Sequence, residues 1–216
     1  MSFLTQIVIQ LPILLITLTI HEFSHGYVAY LLGDDTAKRA GRLTLNPISH
    51  IDPFGLIMLF IARIGWAKPV PINPYNFQNY KRDTAITAAA GPISNFIMAI
   101  LLSLIFKVIK VADPDIMYQA SAMSQFWLGM LLYAILINLA LGLFNLIPIP
   151  PMDGSKILGG FLSDEAYYRY TAKEKQGVRI LMIIFMLSFV FRIPLISYII
   201  MPPLNFFLKL LTGITL

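Results

Sequence analysis

The chain has 216 residues, of which 57% are hydrophobic and only 12% are charged, and it contains no cysteine. An ordinary soluble domain carries about 25% charged residues, so this composition excludes a soluble fold and predicts a polytopic membrane protein. The lack of cysteine excludes disulfides and thiolate zinc sites. The formal charge is +5 without a basic run interleaved with aromatic residues, which indicates topology-setting loops rather than a nucleic-acid partner.

The first apolar tract predicts a helix over residues 4–32 and carries HEFSH at residues 21–25. It has neither the basic start nor the cleavage site of a signal peptide, so we expect a retained helix. Side chains at i and i+4 share a helix face, so His21 and His25 can bind one zinc ion, with Glu22 as general base for a water. Ionisable groups in a spanning helix are costly unless paired or bound to an ion, which favours a metal site over a chance motif.

Residues 36–80 are rich in Pro, Asn and Gly and predict a re-entrant region between the first two core helices. Alternation at Arg42–Leu45 and Lys68–Ile72 predicts the short edge strands of a small β-hairpin, to which an unwound substrate could add. The apolar piece Phe54–Ile64 is short for a membrane crossing and is more typical of a re-entrant or interfacial segment. His50 has two open roles: it either approaches the zinc ion from this region or caps backbone carbonyls.

Two further tracts predict core helices at about residues 84–106 and 126–147. The prolines of PIPP at residues 148–151 cannot continue the third helix, so the backbone unwinds at membrane depth. Such a backbone is tolerated only where it is buried in protein or lines a cavity. Asp153 follows directly and is the candidate third metal ligand, with the N-cap of a short helix as its alternative role.

The last apolar tract predicts C-terminal membrane helices over about residues 178–213, as one bent span or two short ones. The prolines that break this tract are Pro194, Pro202 and Pro203. The HEFSH motif and Asp153 both lie near the C-terminal ends of their helices. To meet at one ion, the first and third helices must be parallel, with the second antiparallel between them. The distribution of Lys and Arg then places the ion nearer the cytoplasmic face.

The sequence therefore predicts one domain over residues 1–216, an all-α polytopic membrane protein with a three-helix catalytic core. HEFSH at 21–25, GPISN at 91–95 and NLIPIPPMDG at 145–154 resemble, in order and spacing, the motifs of the site-2 protease family, peptidase family M50. These are intramembrane zinc metalloproteases. The segments GRLTLNPISHIDPFG and GWAKPVPINP further resemble those of a compact bacterial and archaeal subgroup without PDZ or CBS domains.

The resemblance implies one Zn²⁺ ion per chain and a glutamate general base. The ligands that it implies are His21, His25 and Asp153, with Glu22 as the base. The substrate-binding or auxiliary positions that it implies are Asn145, Pro148, Pro150 and, in the packing motif of the middle helix with Gly91, Asn95.

The family implies cleavage of transmembrane proteins or remnant signal peptides, in or near their membrane segments and within the lipid bilayer of a prokaryotic cell (inner) membrane. A homo-oligomer or a regulatory membrane partner stays open, and no residue names the substrate. The alternative function is a membrane metal-ion transporter, which would place its ligands along a path instead of at one point.

Overall fold

The computed structural model describes residues 3–62, 65–116, 121–191 and 195–215, and most of these residues are helical. The predicted all-α class is confirmed for this part of the chain. The described residues also include short 3₁₀ turns at Pro47–His50 and Pro74–Asn76. In chain order the α-helices are α1 (Phe3–Leu31), α2 (Thr36–Arg39), α3 (Pro53–Ala62), α4 (Tyr80–Ala112), α5 (Ala122–Asn145), α6 (Asp153–Phe161), α7 (Asp164–Thr171), α8 (Glu174–Phe191) and α9 (Leu195–Thr212).

Three of the described helices, α4, α5 and α9, are long and apolar enough to cross a membrane. The outer face of α4 supports this, because its apolar side chains are more than half exposed and would meet lipid instead of water. The chain is therefore an integral membrane protein, whereas the crossing of α1 stays a prediction. The exposed apolar residues on this part of α4 are Leu101, Leu104, Ile105 and Val108.

The described residues of the C-terminal tract contain two helices, α8 and α9. Pro202 and Pro203 lie inside α9 and do not end it. Pro194 lies outside the described residues. The helix α9 packs on α4 and α5, where it completes an apolar cluster of buried side chains. That cluster contains Ala99, Phe106, Leu128, Ile135, Leu139, Leu204 and Leu208.

Hydrogen bonds between α1 and α4 show that these two helices are antiparallel. The His21 ring contacts the side chain of Asn95 through Nδ1, at 2.7 Å. One turn later in α1, Nδ1 of His25 lies 2.8 Å from the carbonyl oxygen of Thr87, which precedes Asn95 by two turns. Moving forward along α1 therefore means moving backward along α4.

The helix α5 runs parallel to α1. Asn138 in the middle of α5 donates to Thr17 of α1 at 3.1 Å. Asp153, which lies beyond the end of α5, is level with His25, two turns further along α1. The predicted arrangement, with α4 antiparallel between two parallel helices, is thus present, and it brings HEFSH and Asp153 to the same end of the bundle.

The predicted β-hairpin is wrong for the described residues between α1 and α4. The segments Arg42–Leu45 and Lys68–Ile72 form no strand there, and one isolated antiparallel bridge joins Ile51 to Ala67. The second segment reads KPVPI, and its two prolines have no N–H to donate, so a ladder cannot continue beyond the bridge. The region is a folded loop, and the longest helix among its described residues is the ten-residue α3, about 15 Å long and too short to cross a bilayer.

Asp34, just after α1, anchors this loop. Its side chain is fully buried, and its Oδ2 accepts the backbone N–H of Asn73 at 2.7 Å. Its Oδ1 accepts from the Asn76 amide at 2.7 Å and from the backbone N–H of Thr36 at 3.1 Å. Burial alone would raise the pKa of Asp34, but the hydrogen bonds from Thr36, Asn73 and Asn76 outweigh it and hold that pKa below its usual range.

An Asp34→Asn variant is expected to unfold at a lower temperature than the wild type. Its free energy of unfolding should fall by about 1–3 kcal/mol at pH 7, because buried donors lose their acceptor. A carboxyl whose folded pKa is lowered stabilises the protein above its unfolded pKa of about 4, and that contribution disappears as the pH falls through the folded value. The difference in stability between the variant and the wild type should therefore become smaller at acidic pH.

Thermal unfolding in detergent at several pH values measures this difference. Asp35→Asn is the matched control, since the Asp35 carboxylate forms an exposed i,i+4 ion pair with Arg39, which contributes little. Equal destabilisation by both substitutions, or a difference that does not change with pH, would contradict the anchoring role.

Candidate metal centre

The two histidines of HEFSH lie one turn apart on the face of α1 that meets α4. Their side chains are buried, and their Nε2 atoms are 3.1 Å apart. The rings meet edge to face, with centroids at 4.6 Å. The i,i+4 spacing predicts this closeness of two imidazoles that bind one ion.

Asp153 reaches the same point from the broken end of α5. The helix ends at Asn145, before the prolines, and α6 starts at Asp153 after a short turn. The Oδ2 atom of Asp153 lies 3.3 Å from Nε2 of His21 and 3.2 Å from Nε2 of His25. The N-cap of α6 is Met152 and has no side-chain capping bond, so the carboxylate of Asp153 faces the histidines and does not cap the helix.

Gly154 permits this close approach. A Cβ atom at this position would lie within 2.6 Å of the carbonyl oxygen of Ile147 and even closer to the backbone of Leu146. Because backbone atoms cannot give way as a flexible side chain can, a larger residue would push α6 away from the end of α5. The residue after the carboxylate therefore helps to set its position.

The three side chains fit a zinc ion. One ligand atom from each of His21, His25 and Asp153 lies within 4.8 Å of the others. Two nitrogens and one carboxylate oxygen are a donor set typical of catalytic zinc, which keeps a further position open. The Oδ2 atom of Asp153 is buried and accepts no hydrogen bond in the described part of the chain, an arrangement that is costly unless a cation meets it.

Both imidazoles have a partner at their other nitrogen, and in both cases it comes from α4. Nδ1 of His25 lies 2.8 Å from the carbonyl oxygen of Thr87, and Nδ1 of His21 lies 2.7 Å from Oδ1 of Asn95. An Nδ1–H that donates to an oxygen leaves the lone pair on Nε2 free for a metal. Asn95, predicted as part of a packing motif, is therefore a direct neighbour of a ligand.

Gly91 provides the space for both rings. A Cβ atom at residue 91 would lie within 2.6 Å of Cε1 in His21 and in His25, and closer still to Nε2 of His25. Glycine inside a helix costs roughly 1 kcal/mol relative to alanine, so its presence in the middle of α4 needs a reason. The reason is that the imidazoles occupy the volume of a side chain.

Glu22 lies in the same cavity as the ligands. Its Oε2 atom accepts the backbone N–H of Val70 at 2.8 Å, so the loop before α4 holds the carboxylate. The cavity has a volume of about 250 Å³. It is lined by His21, Glu22, His25, Pro69, Val70, Ile72, Pro74, Phe77, Thr84, Thr87, Ala88, Asn145, Pro151, Asp153 and Lys156.

The auxiliary residues predicted after α5 divide into two groups. Asn145 lines the cavity and donates from Nδ2 to the carbonyl of Leu141 at 3.1 Å. Pro148 and Pro150 lie outside the lining, where the carbonyl of Pro148 accepts the hydroxyl of Tyr170 at 2.9 Å. These two prolines shape the turn, and the neighbouring Pro151 supplies the wall instead.

His50 is not brought to the metal ligands. Its ring is buried, its Nε2 lies 2.9 Å from the carbonyl oxygen of Thr44, and it lines a separate apolar cavity of about 100 Å³ beside α1. This geometry matches the carbonyl-capping alternative of the two roles left open by the sequence.

Sequence reasoning missed the main-chain groups of the site. The N–H of Val70 and the carbonyl of Thr87 contact Glu22 and His25, yet a backbone group leaves no trace in the residue pattern. Lys156 also lines the cavity, three residues after Asp153, and that spacing on α6 was the available signal.

An apolar helical bundle that encloses the two histidines of an HExxH motif, a carboxylate as the third ligand group and a glutamate in the same cavity defines an integral membrane metalloenzyme. The family model described as peptidase family M50 matches residues 101–190. A protein from Bacillus subtilis named zinc metalloprotease YwhC is 37% identical over 203 residues, which cover 90% of this chain and 87% of that protein.

Two other relatives are longer than this chain. A mycobacterial protein named zinc metalloprotease Rip2, from Mycolicibacterium smegmatis, is 31% identical over 79% of this chain and 63% of its own length. Zinc metalloprotease MJ0392 from Methanocaldococcus jannaschii is 27% identical over 74% of this chain and 36% of its own length. No solved structure matches the chain significantly.

The chain therefore belongs to peptidase family M50. The family predicted from the three motifs is confirmed, as are the predicted class of enzyme, a zinc metalloprotease, and its Zn²⁺ cofactor.

Replacing Gly91 with Ala is expected to weaken zinc binding about tenfold or more, because the added methyl group displaces both imidazoles from their shared point. Metal analysis of the purified protein and competition with a zinc chelator measure the loss. Gly129→Ala in α5 is the control: beyond its own turn of helix, no described atom lies within 4 Å of its Cβ position, so zinc binding should be unchanged. Zinc affinity equal to the wild type in the Gly91→Ala variant would show that the space is not needed.

Proposed function

We propose that this metal centre hydrolyses peptide bonds in or near transmembrane segments, with zinc held by His21, His25 and Asp153. The observation that carries the proposal is the convergence of these three ligand atoms within a bundle of membrane-type helices. Glu22, in the same cavity, is the general base. The family membership supports the reaction class, and the position of the site supports its membrane setting.

The chemistry at the site divides between the ion and the chain. Bound zinc supplies Lewis acidity, which polarises a carbonyl and lowers the pKa of a water. Glu22 takes the proton of the attacking water and then delivers it to the leaving amide nitrogen, as general base and acid in turn. The hydrogen bond from Val70 fixes one oxygen of this carboxylate and so limits its rotation at the edge of the cavity. The carbonyl of Thr87 keeps His25 oriented throughout.

The cavity walls indicate the kind of substrate. The loop contributes Val70, Ile72 and Phe77, which are apolar, and Pro69 and Pro151 are also part of the lining. Such walls accept the aliphatic side chains that are common in membrane segments. A helical substrate hides its scissile carbonyl in an i→i−4 hydrogen bond, so it must unwind before attack. Asn145 lines the cavity, and its amide, which can both donate and accept, would hold the exposed main chain of the substrate.

The distribution of charge supports a location of the metal site near the cytoplasmic face of a prokaryotic cell (inner) membrane. Basic residues are concentrated at the metal end of the bundle, as the positive-inside rule expects of cytoplasmic segments. At the opposite end of α4 there are Lys107 and Lys110. The basic residues of the loop and the adjoining helix ends include Lys38, Arg39, Arg42, Lys68, Lys81 and Arg82.

A metal-ion transporter is the alternative function. Transport requires successive ligand groups along a path through the membrane. In the described ranges, a single cluster of three or more His, Asp and Glu side chains is able to hold a metal, and its members meet at one point. This arrangement favours hydrolysis over transport.

A Glu22→Gln variant is expected to keep zinc and to lose about 10²–10⁴-fold in the rate of peptide cleavage, because glutamine cannot accept the proton. The assay uses purified protein in detergent with a synthetic transmembrane peptide, together with metal analysis of each sample. Glu165→Gln is the matched control, since Glu165 is exposed on α7 and is not part of the cavity lining.

Zinc uptake into proteoliposomes separates the two functions. A protease should show no zinc flux above empty vesicles, with or without Glu22. The protease proposal would be refuted if the wild type cleaved no peptide and the Glu22→Gln variant retained zinc flux.

A further inference from the structure

The two ligand histidines differ in what fixes their protonated nitrogen. Nδ1 of His25 faces a backbone carbonyl, which can only accept, so the proton must be on Nδ1. Nδ1 of His21 faces the side-chain amide of Asn95, which can present either its oxygen or its NH₂ group. If the NH₂ group faced His21, the proton of the neutral ring would move to Nε2, the atom that must bind the metal.

A chain of hydrogen bonds continues from Asn95 across the bundle. Nδ2 of Asn95 donates to Oδ1 of Asn138 on α5 at 3.2 Å. Nδ2 of Asn138 in turn donates to the carbonyl of Ala134 at 2.8 Å and to Oγ1 of Thr17 on α1 at 3.1 Å. His21, Asn95, Asn138 and Thr17 are each at most 4% exposed, so water does not substitute for any of these partners.

The direction of this chain is set at its far end. The carbonyl of Ala134 can only accept, so it requires the NH₂ group of Asn138 on its side. The oxygen of Asn138 must then face Asn95, which directs the NH₂ group of Asn95 toward Asn138 and its oxygen toward His21. Reversing either amide would place oxygen against oxygen or NH₂ against NH₂ in a buried setting, where unsatisfied polar groups are strongly disfavoured.

We propose that Asn138 is a positioning residue that selects the metal-binding tautomer of His21 by way of Asn95. The inference deepens the proposed zinc site and rests on it. It assigns a function to a side chain that touches neither the ligands nor the cavity. It also explains why two buried amides on different helices, Asn95 and Asn138, lie in series behind His21, whereas a backbone carbonyl meets His25.

A purely structural role predicts something different for Asn138. Polar side chains between membrane helices also hold helices together, and losing such a bond would disturb the site in any background. An Asn95→Asp variant separates the two roles. An ionised carboxylate has no donor, so it can only accept from Nδ1 of His21, and the tautomer no longer depends on Asn138.

The experiment measures the zinc dissociation constant of the full chain in detergent micelles by chelator competition. The proteins are the wild type, Asn138→Leu, Asn95→Asp and the double variant. Asn138→Leu is expected to weaken zinc binding about tenfold, the scale of losses from groups behind metal ligands. In the Asn95→Asp background the same substitution should change affinity by less than about twofold, the usual error of additivity between independent sites.

Two further variants keep the result interpretable. Asn138→Ser interrupts the series of hydrogen bonds with a smaller change in polarity than Asn138→Leu, because the serine hydroxyl turns back to a carbonyl of its own helix. It gives the same expectations if Asn138→Leu does not fold. Ser103→Ala removes another buried polar group of α4, whose hydroxyl donates to the carbonyl of Ile100, and should leave zinc affinity unchanged.

The outcomes are distinct. An equal loss in both backgrounds, or no loss in either, overturns the proposed role of Asn138 while the zinc site stands. Failure of the wild type itself to bind zinc would instead refute the zinc site.

Discussion

The constraint on which the structure depends is that two imidazoles and a carboxylate are enclosed by apolar helices, where an unpaired charge is costly. Each of the three therefore needs a partner from the protein or an ion. The Nε2 atoms of the histidines and Oδ2 of Asp153 turn toward one another. The Nδ1 atoms turn to oxygens of α4. Gly91 leaves the volume that this inward arrangement requires.

The loop between α1 and α4 also helps to position the metal centre. Asp34 fixes the turn at Asn73 to the end of α1. A few residues earlier, the N–H of Val70 bonds to Glu22. The position of the proposed general base is therefore linked to a buried carboxylate that lies outside the cavity. A loop without a sheet can do this because its fixed points are side-chain hydrogen bonds and prolines rather than a strand ladder.

The sequence was informative where a residue pattern maps directly onto geometry. HEFSH placed His21 and His25 on one helix face, and the prolines after Asn145 predicted the break that brings Asp153 to them. Prediction failed where main-chain groups or long-range packing decide. The alternation in KPVPI read as a strand, but its prolines remove the N–H groups that a ladder needs. The placement of His50 also depends on how the loop folds over α1, which no local pattern contains.

The sequence by itself determined the membrane class, the helical core, the family and the set of residues able to hold zinc, because composition, helical period and proline chemistry are local properties. Only the tertiary structure decided which backbone groups orient those residues. The main-chain carbonyls of Thr87 and Ala134 and the main-chain N–H of Val70 do not depend on the side chains at these positions, so the residue pattern does not mark them. Their roles arise solely from the packing of α4, α5 and the loop against α1. The two amides between His21 and Ala134 acquire a direction for the same reason: a hydrogen-bond chain is polar only when its last partner cannot reverse.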